Sequence, residues 1–387
     1  MPSYHRLGEV PHKRHTQFRK PDGGLYAEEL FGEEGFSGNY SLLYHQYPPT
    51  RVTRIARYGA ADNEEWPQET HRHHHLKTAG IAPGGDAVSG RVTLMYNNDC
   101  QLGVARPTEE MGYFYRNAMG DEMLFIHEGK GELETTFGLL PYAEGDYLII
   151  PRGTTWRVRP GSAEGPQRML FLEAFGGALQ PPKRYRNEFG QLLEHSPYCE
   201  RDLRAPTELP RHEERGEHEV RIKVNGEVMS YVFDFYPLDL VGWDGYLYPY
   251  AFNIGDFEPI TGRVHQPPPV HQTFEGPNFV VCSFCPRKLD YHPLSVPVPY
   301  NHSNIDSDEM IYYVNGNFGS RKGVETSSIT LHPRGIPHGP QPGAVERSLG
   351  VERTDELAVM VDTFRPLKLA AAARELDDAS YPFSWLE

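Results

Sequence analysis

Three residues in the C-terminal half have the types and spacing to hold a metal. They are His302, Glu309 and His338, in "PYNHSNIDSDEMIYYVNG" and "SSITLHPRGIPHGP". Two imidazoles and one carboxylate form the facial set that binds a divalent cation and leaves coordination positions open; non-haem Fe(II) suits it, and Mn(II), Ni(II) or Zn(II) share the preference for N/O donors. A divalent cation in this set carries a net charge near +1, which favours an anionic bidentate ligand such as an ionised phenol or carboxylate.

The chain supplies its own control. Tyr115, Asn117, Glu122 and Gly129 precede His302, Asn304, Glu309 and Gly316 by a constant 187 residues. Pro151, Gly153 and Trp156 precede Pro333, Gly335 and His338 by 182. Two elements repeated in fixed order imply two copies of one structural unit. The upstream copy has Tyr115 and Trp156 where the downstream copy has histidine, so a metal is expected in the downstream copy only. Asp308 precedes Glu309 directly and is the second candidate for the carboxylate.

The positioning elements are short strands and turns. "DYLIIPRG" and "ITLHPRG" read as strands entering turns, with Pro setting φ and Gly supplying positive φ two residues later. "EMLFIHEG" and "EMIYYVNG" read as strands ending at Gly. The 387 residues include 38 Gly, 34 Pro, 23 Tyr and 19 Phe, with no long 3.6-residue period, which favours an all-β sandwich or barrel of the jelly-roll type. The expected organisation is a β-rich N-terminal extension over 1–90 and a metal-free barrel over 91–177. A charged, Pro-rich linker follows over 178–225, then the metal-binding barrel over 226–365 and a tail over 366–387. "GGLYAEELFGEEGF" suggests a short helix around Ala27–Phe31, and "LKLAAAARELDDA" a short C-terminal helix.

The net charge of −15 argues against nucleic acid or an anionic membrane as the main partner. The N-terminus lacks the apolar core of a signal peptide and no run of 18 apolar residues exists, so a cytoplasmic protein is expected. The four cysteines make no disulfide framework; Cys282 and Cys285 read as core thiols on opposite strand faces. His71, His73, His74 and His75 crowd together without a spaced carboxylate and read as a solvated edge or subunit contact.

The repeated phrases resemble the cupin pattern, with Asn304 in place of its second histidine. More specifically, "LYAEELFG", "PYNHSN" and "LHPRGIPHGP" resemble the corresponding stretches of the homogentisate 1,2-dioxygenase family. That resemblance implies a bicupin fold and Fe(II) held by His302, Glu309 and His338. It implies that His265 is the active-site acid/base, and that Tyr300 and His332, with His338, contact substrate. The implied reaction is opening of homogentisate by O₂ to maleylacetoacetate in tyrosine and phenylalanine catabolism. A gentisate-type hydroxylated acid is the alternative substrate, and a non-catalytic binding protein the alternative class. A homo-oligomer is implied as well. The chain departs from the animal members in having one more residue between His302 and Glu309, and Phe318 stands where the family has a tyrosine near the site.

Overall fold

The structure is a computed structural model that describes residues 3–161, 165–316, 318 and 323–386. It is mainly β, and the repeat appears as repeated strand order. Upstream, the hydrogen-bonded order is Asp146–Ile150, Gly120–Glu128, Arg168–Phe175, Cys100–Ala105, Arg91–Tyr96. Downstream it is Ile329–His332, Asp308–Asn315, Leu357–Thr363, Phe279–Phe284, Gln272–Gly276. All these pairs are antiparallel. Gly129 and Gly316, the matched glycines closing the two phrases, share φ near +103° and +104°; Gly153 and Gly335 in the Pro-Arg-Gly turns share +83° and +77°. Only glycine takes such values without strain.

Side-chain alternation gives each of these sheets two jobs. Along Gly120–Glu128, Met123 and Phe125 face a large shared core, while Leu124 and Ile126 face the upstream barrel interior. Along Asp308–Asn315, Met310, Tyr312 and Val314 enter the same shared core, and Tyr313 faces the downstream interior. The two barrels therefore pack sheet against sheet. Burying each large apolar side chain there contributes about 2 kcal/mol. Tyr147 Oη, 2.9 Å from Ser283 Oγ, ties the sheets across this core.

The upstream barrel is closed by a second sheet containing Gly131–Thr135, Thr155–Pro160 and Phe114–Asn117. That sheet continues into Arg215–Val224, Glu227–Phe235 and Val52–Ala60. The downstream barrel is closed by irregular structure: the pair Arg287–Lys288 with Arg353–Thr354, and the helix Ala344–Ser348. The composition that suggests a linker over 178–225 includes a ten-residue strand, Arg215–Val224, and the strands up to Asn253 pair with upstream or N-terminal sheets rather than with the metal-binding half.

One helix expectation needs correction. Ala27–Gly32 is a strand paired with Tyr40–His45. Its period is two: Glu29 reaches His45 and Phe31 packs on Phe137, so alternate residues point inward. The alanine-rich tail forms the expected short helix, a six-residue 3₁₀ helix over Ala371–Leu376 whose start is tied to the backbone of Leu94 and Glu64. No helix among the described residues is long and apolar enough to cross a membrane.

Candidate metal centre

Glu309 starts its strand with its carboxylate in the downstream barrel. In register it stands between His332 on one neighbour and Asp362 on the other. His302 and His338 lie outside the sheet on two loops joined by reciprocal backbone hydrogen bonds: His302 N donates to His338 O at 2.8 Å and His338 N to His302 O at 2.9 Å. This bridge sets their rings 4.3 Å apart, centroid to centroid. One donor atom from each of His302, Glu309 and His338 lies within 4.8 Å of the others. His302 Nε2 is 3.6 Å from Glu309 Oε2, and His338 Nε2 is 3.3 Å from Oε1. The sequence-predicted trio is thus brought together.

The choice between Asp308 and Glu309 is visible in the contacts. Asp308 Oδ1 accepts from Arg334 N at 2.9 Å and Nε at 3.0 Å, and Oδ2 accepts from Leu367 N at 2.7 Å. The upstream copy does the same: Asp121 accepts from Arg152 N and Leu179 N. In each half the Asp pins the Pro-Arg-Gly turn and the following Glu enters the barrel.

His332 is fully buried; its Nδ1 donates to Glu309 Oε1 at 2.8 Å and its Nε2 lies 3.1 Å from Tyr381 Oη. It contacts the carboxylate rather than an open cavity. Burial alone would raise the Glu309 carboxyl, but the imidazoles of His302, His332 and His338 outweigh it and hold the group well below the usual range. Asp362 goes the other way: burial, then the charge of Glu309, push it up to about 8. The register that sets Asp362 opposite Glu309 has no signal in a single sequence.

His265 and Tyr300 lie outside this knot. They line a groove of about 450 Å³ with Val264, His292, Val296 and Pro340. The Tyr300 ring, 60 % exposed, stands 5.1 Å from His265 and 6.4 Å from His302, a line of rings from groove to centre. His265 Nδ1 is 3.9 Å from Asp290 Oδ2. Phe318 packs on Tyr313 inside the downstream barrel.

The histidine run corrects a second expectation. His73, His74 and His75 are buried, and His74–Leu76 is an edge strand on the His332 strand. His73 stands 5.3 Å from His332 and 5.9 Å from His338, ring to ring. Cys282 and Cys285 are buried free thiols in different clusters, as alternation requires.

The upstream copy shows what the site balances. There Arg91 Nη1 contacts Glu122 Oε1 at 2.6 Å and Glu173 Oε1 at 3.0 Å. Glu122 and Glu173 face each other in register as Glu309 and Asp362 do. Trp156 Nε1 donates to Glu122 at 3.1 Å, and Tyr115, Trp156 and Phe171 surround the guanidinium. One half pairs two buried carboxyl groups with a built-in cation. Among the described residues of the other half, no lysine or arginine pairs with Glu309 or Asp362. Instead, both ring nitrogens of His338 are buried without a hydrogen bond of good geometry. A cation ligated by His302, Glu309 and His338 fits this donor set.

A family model described as Homogentisate 1,2-dioxygenase N-terminal matches residues 8–254. A protein of Saccharolobus solfataricus, whose name gives dioxygenase as a provisional class and no substrate, is 45% identical over 99% of this chain and 98% of its own. The homogentisate 1,2-dioxygenase of Bradyrhizobium diazoefficiens is 26% identical over 90% of this chain and 83% of its own. A cupin barrel protein of Leptotrichia buccalis superposes with a TM-score of 0.35 at 10% identity, over 77% of this chain and 99% of its own.

Proposed function

The chain belongs to the homogentisate 1,2-dioxygenase family, and from that membership we propose that it opens the ring of homogentisate with O₂, using Fe(II) held by His302, Glu309 and His338. The observation that carries the reading is the convergence of these three donors where the upstream copy holds Arg91. Bound there, Fe(II) would supply the one-electron chemistry that lets O₂ react with an aromatic ring.

The protein's own groups do the rest. The groove takes a flat ring between Tyr300 and the apolar side chains of Val264, Val296 and Pro340. His265 turns Nδ1 toward Asp290, so Nε2 is the atom that takes the ring hydroxyl proton. A substrate carboxylate in the groove has the Nε2–H of His292, whose Nδ1 accepts from Leu294 N, as its hydrogen-bond donor. His332 holds Glu309 in the ionised form a metal ligand requires. In this role the protein serves tyrosine and phenylalanine breakdown and works as a homo-oligomer.

The test is oxygen uptake by the Fe(II)-loaded protein on a panel of homogentisate, gentisate and simple hydroquinones. Uptake equimolar with homogentisate and much slower with the others is expected. Uptake on gentisate alone would replace the substrate, and none on any of them would remove the activity. His338→Ala should lose bound iron and oxygen uptake together while its circular dichroism stays unchanged.

A further inference from the structure

The two ends of the chain meet around the loop that carries His338. From the N-terminal side, His71 Nε2 donates to Arg334 O at 2.8 Å and His73 Nε2 to Pro337 O at 3.2 Å. Asp377 fastens this run to the tail by accepting from Arg72 and from His74. From the C-terminal side, Trp385 Nε1 donates to Gly339 O at 3.2 Å, Gln341 bonds Ser384, and the Tyr381 hydroxyl meets His332.

The Tyr381 contact has a defined sense. The Glu309 carboxylate oxygen accepts at 2.8 Å from the His332 nitrogen beside it, so that nitrogen, Nδ1, carries the proton. In the neutral imidazole Nε2 is then an acceptor, and the Tyr381 O–H is the donor it faces. The His332 ring also stacks on His338, with centroids 4.4 Å apart and planes 18° apart. A shift of His332 would therefore disturb a carboxylate and an imidazole of the centre at once.

We infer that Tyr381 is a positioning residue for the metal centre: it orients His332, which orients Glu309 and His338, while the turn around it clamps the His338 loop. The inference rests on the metal-centre reading above. It gives the buried histidine run and the tail one shared task. Groups that orient ligands from outside the coordination sphere typically change metal affinity 10–100-fold when removed.

The experiment is anaerobic titration of the metal-free protein with Co(II), followed by its d–d absorption. Tyr381→Phe removes one hydroxyl and keeps the ring against Trp385 and His75. It should bind Co(II) about tenfold more weakly, with a changed d–d spectrum and unchanged far-UV circular dichroism. In a His332→Ala background the same change should shift affinity less than about twofold, because the hydroxyl acts through that imidazole. Trp385→Phe, which removes the indole N–H that donates to Gly339 O, should also weaken binding. Wild-type affinity in both Tyr381→Phe and Trp385→Phe would overturn the inference and leave the metal centre standing. An undiminished tenfold effect in the His332→Ala background would overturn the relay. A wild-type protein that binds no Co(II) would remove the centre itself.

Discussion

Asp308 and Glu309 are adjacent, both buried and both acidic, yet the structure gives them separate tasks. Asp308 accepts three hydrogen bonds, two of them from Arg334, and Glu309 faces three imidazoles. Asp308→Asn should therefore cost about 2 kcal/mol of stability, the usual worth of charge-assisted hydrogen bonds, and keep its metal. Glu309→Gln should fold and lose the metal. Urea denaturation alongside metal analysis of both variants checks the pair, and the opposite pattern would exchange the two roles. The sequence made Glu309 legible because the repeat aligns it with Glu122. It left Asp362 invisible, because a carboxylate in the run "VMVDTF" carries no spacing signal; only the strand register sets it opposite Glu309. The resemblance implies that His332 contacts substrate, whereas the structure buries it against Glu309. Its contact with Glu309 was not legible, because that depends on the neighbouring strand.

At the scale of elements, the N-terminal sheet depends on one buried histidine. His45 sits between Asp239 Oδ1 at 2.7 Å and Glu29 Oε2 at 2.8 Å, groups from two other segments. Burial alone would lower its pKa, but the two carboxylates outweigh that and raise it to about 9. A histidine raised above its unfolded value of about 6.5 gives its full stabilisation below pH 6.5 and loses it as pH climbs through 9. The shift corresponds to about 3 kcal/mol. The melting temperature should thus fall between pH 6.5 and 9, and His45→Gln should flatten that fall while lowering stability at pH 6. An equal slope in both proteins would show that His45 is not the group responsible. The same sheet shows why local reading failed at Ala27–Gly32. Glutamate and leucine favour helix only weakly, and the partner strand's demand for alternate inward residues overrides them. The histidine run was misread for a related reason: its edge strand is covered by the tail 303 residues away at Asp377, and composition cannot report a partner so distant.

At the scale of the molecule, one architecture is used twice with two ways of balancing buried acid. The strand order, the matched glycines and the Asp-to-turn bonds are common to both halves, so the scaffold was legible from the repeat alone. What differs is the cation: Arg91 upstream, and a bound metal in the proposed centre downstream. Arg91 comes from outside both repeated phrases, so no motif announced it. Arg91→Met would leave Glu122 and Glu173 buried with only Lys223 to oppose them. Removing one partner of a buried ion pair costs about 3–5 kcal/mol. The Glu122 carboxyl is already pushed up by burial, and loss of the guanidinium would push it further. A carboxyl raised in the folded state takes its proton more readily there than in the unfolded chain, so the penalty should shrink as pH falls from 7 toward 5. Chemical denaturation at both pH values measures this. Metal content should stay at one ion per chain in wild type and in Arg91→Met alike, since the ligands lie in the other barrel. A second ion in the wild-type protein, or loss of metal from a folded Arg91→Met variant, would mean that the halves do not divide the work as the Arg91 site indicates.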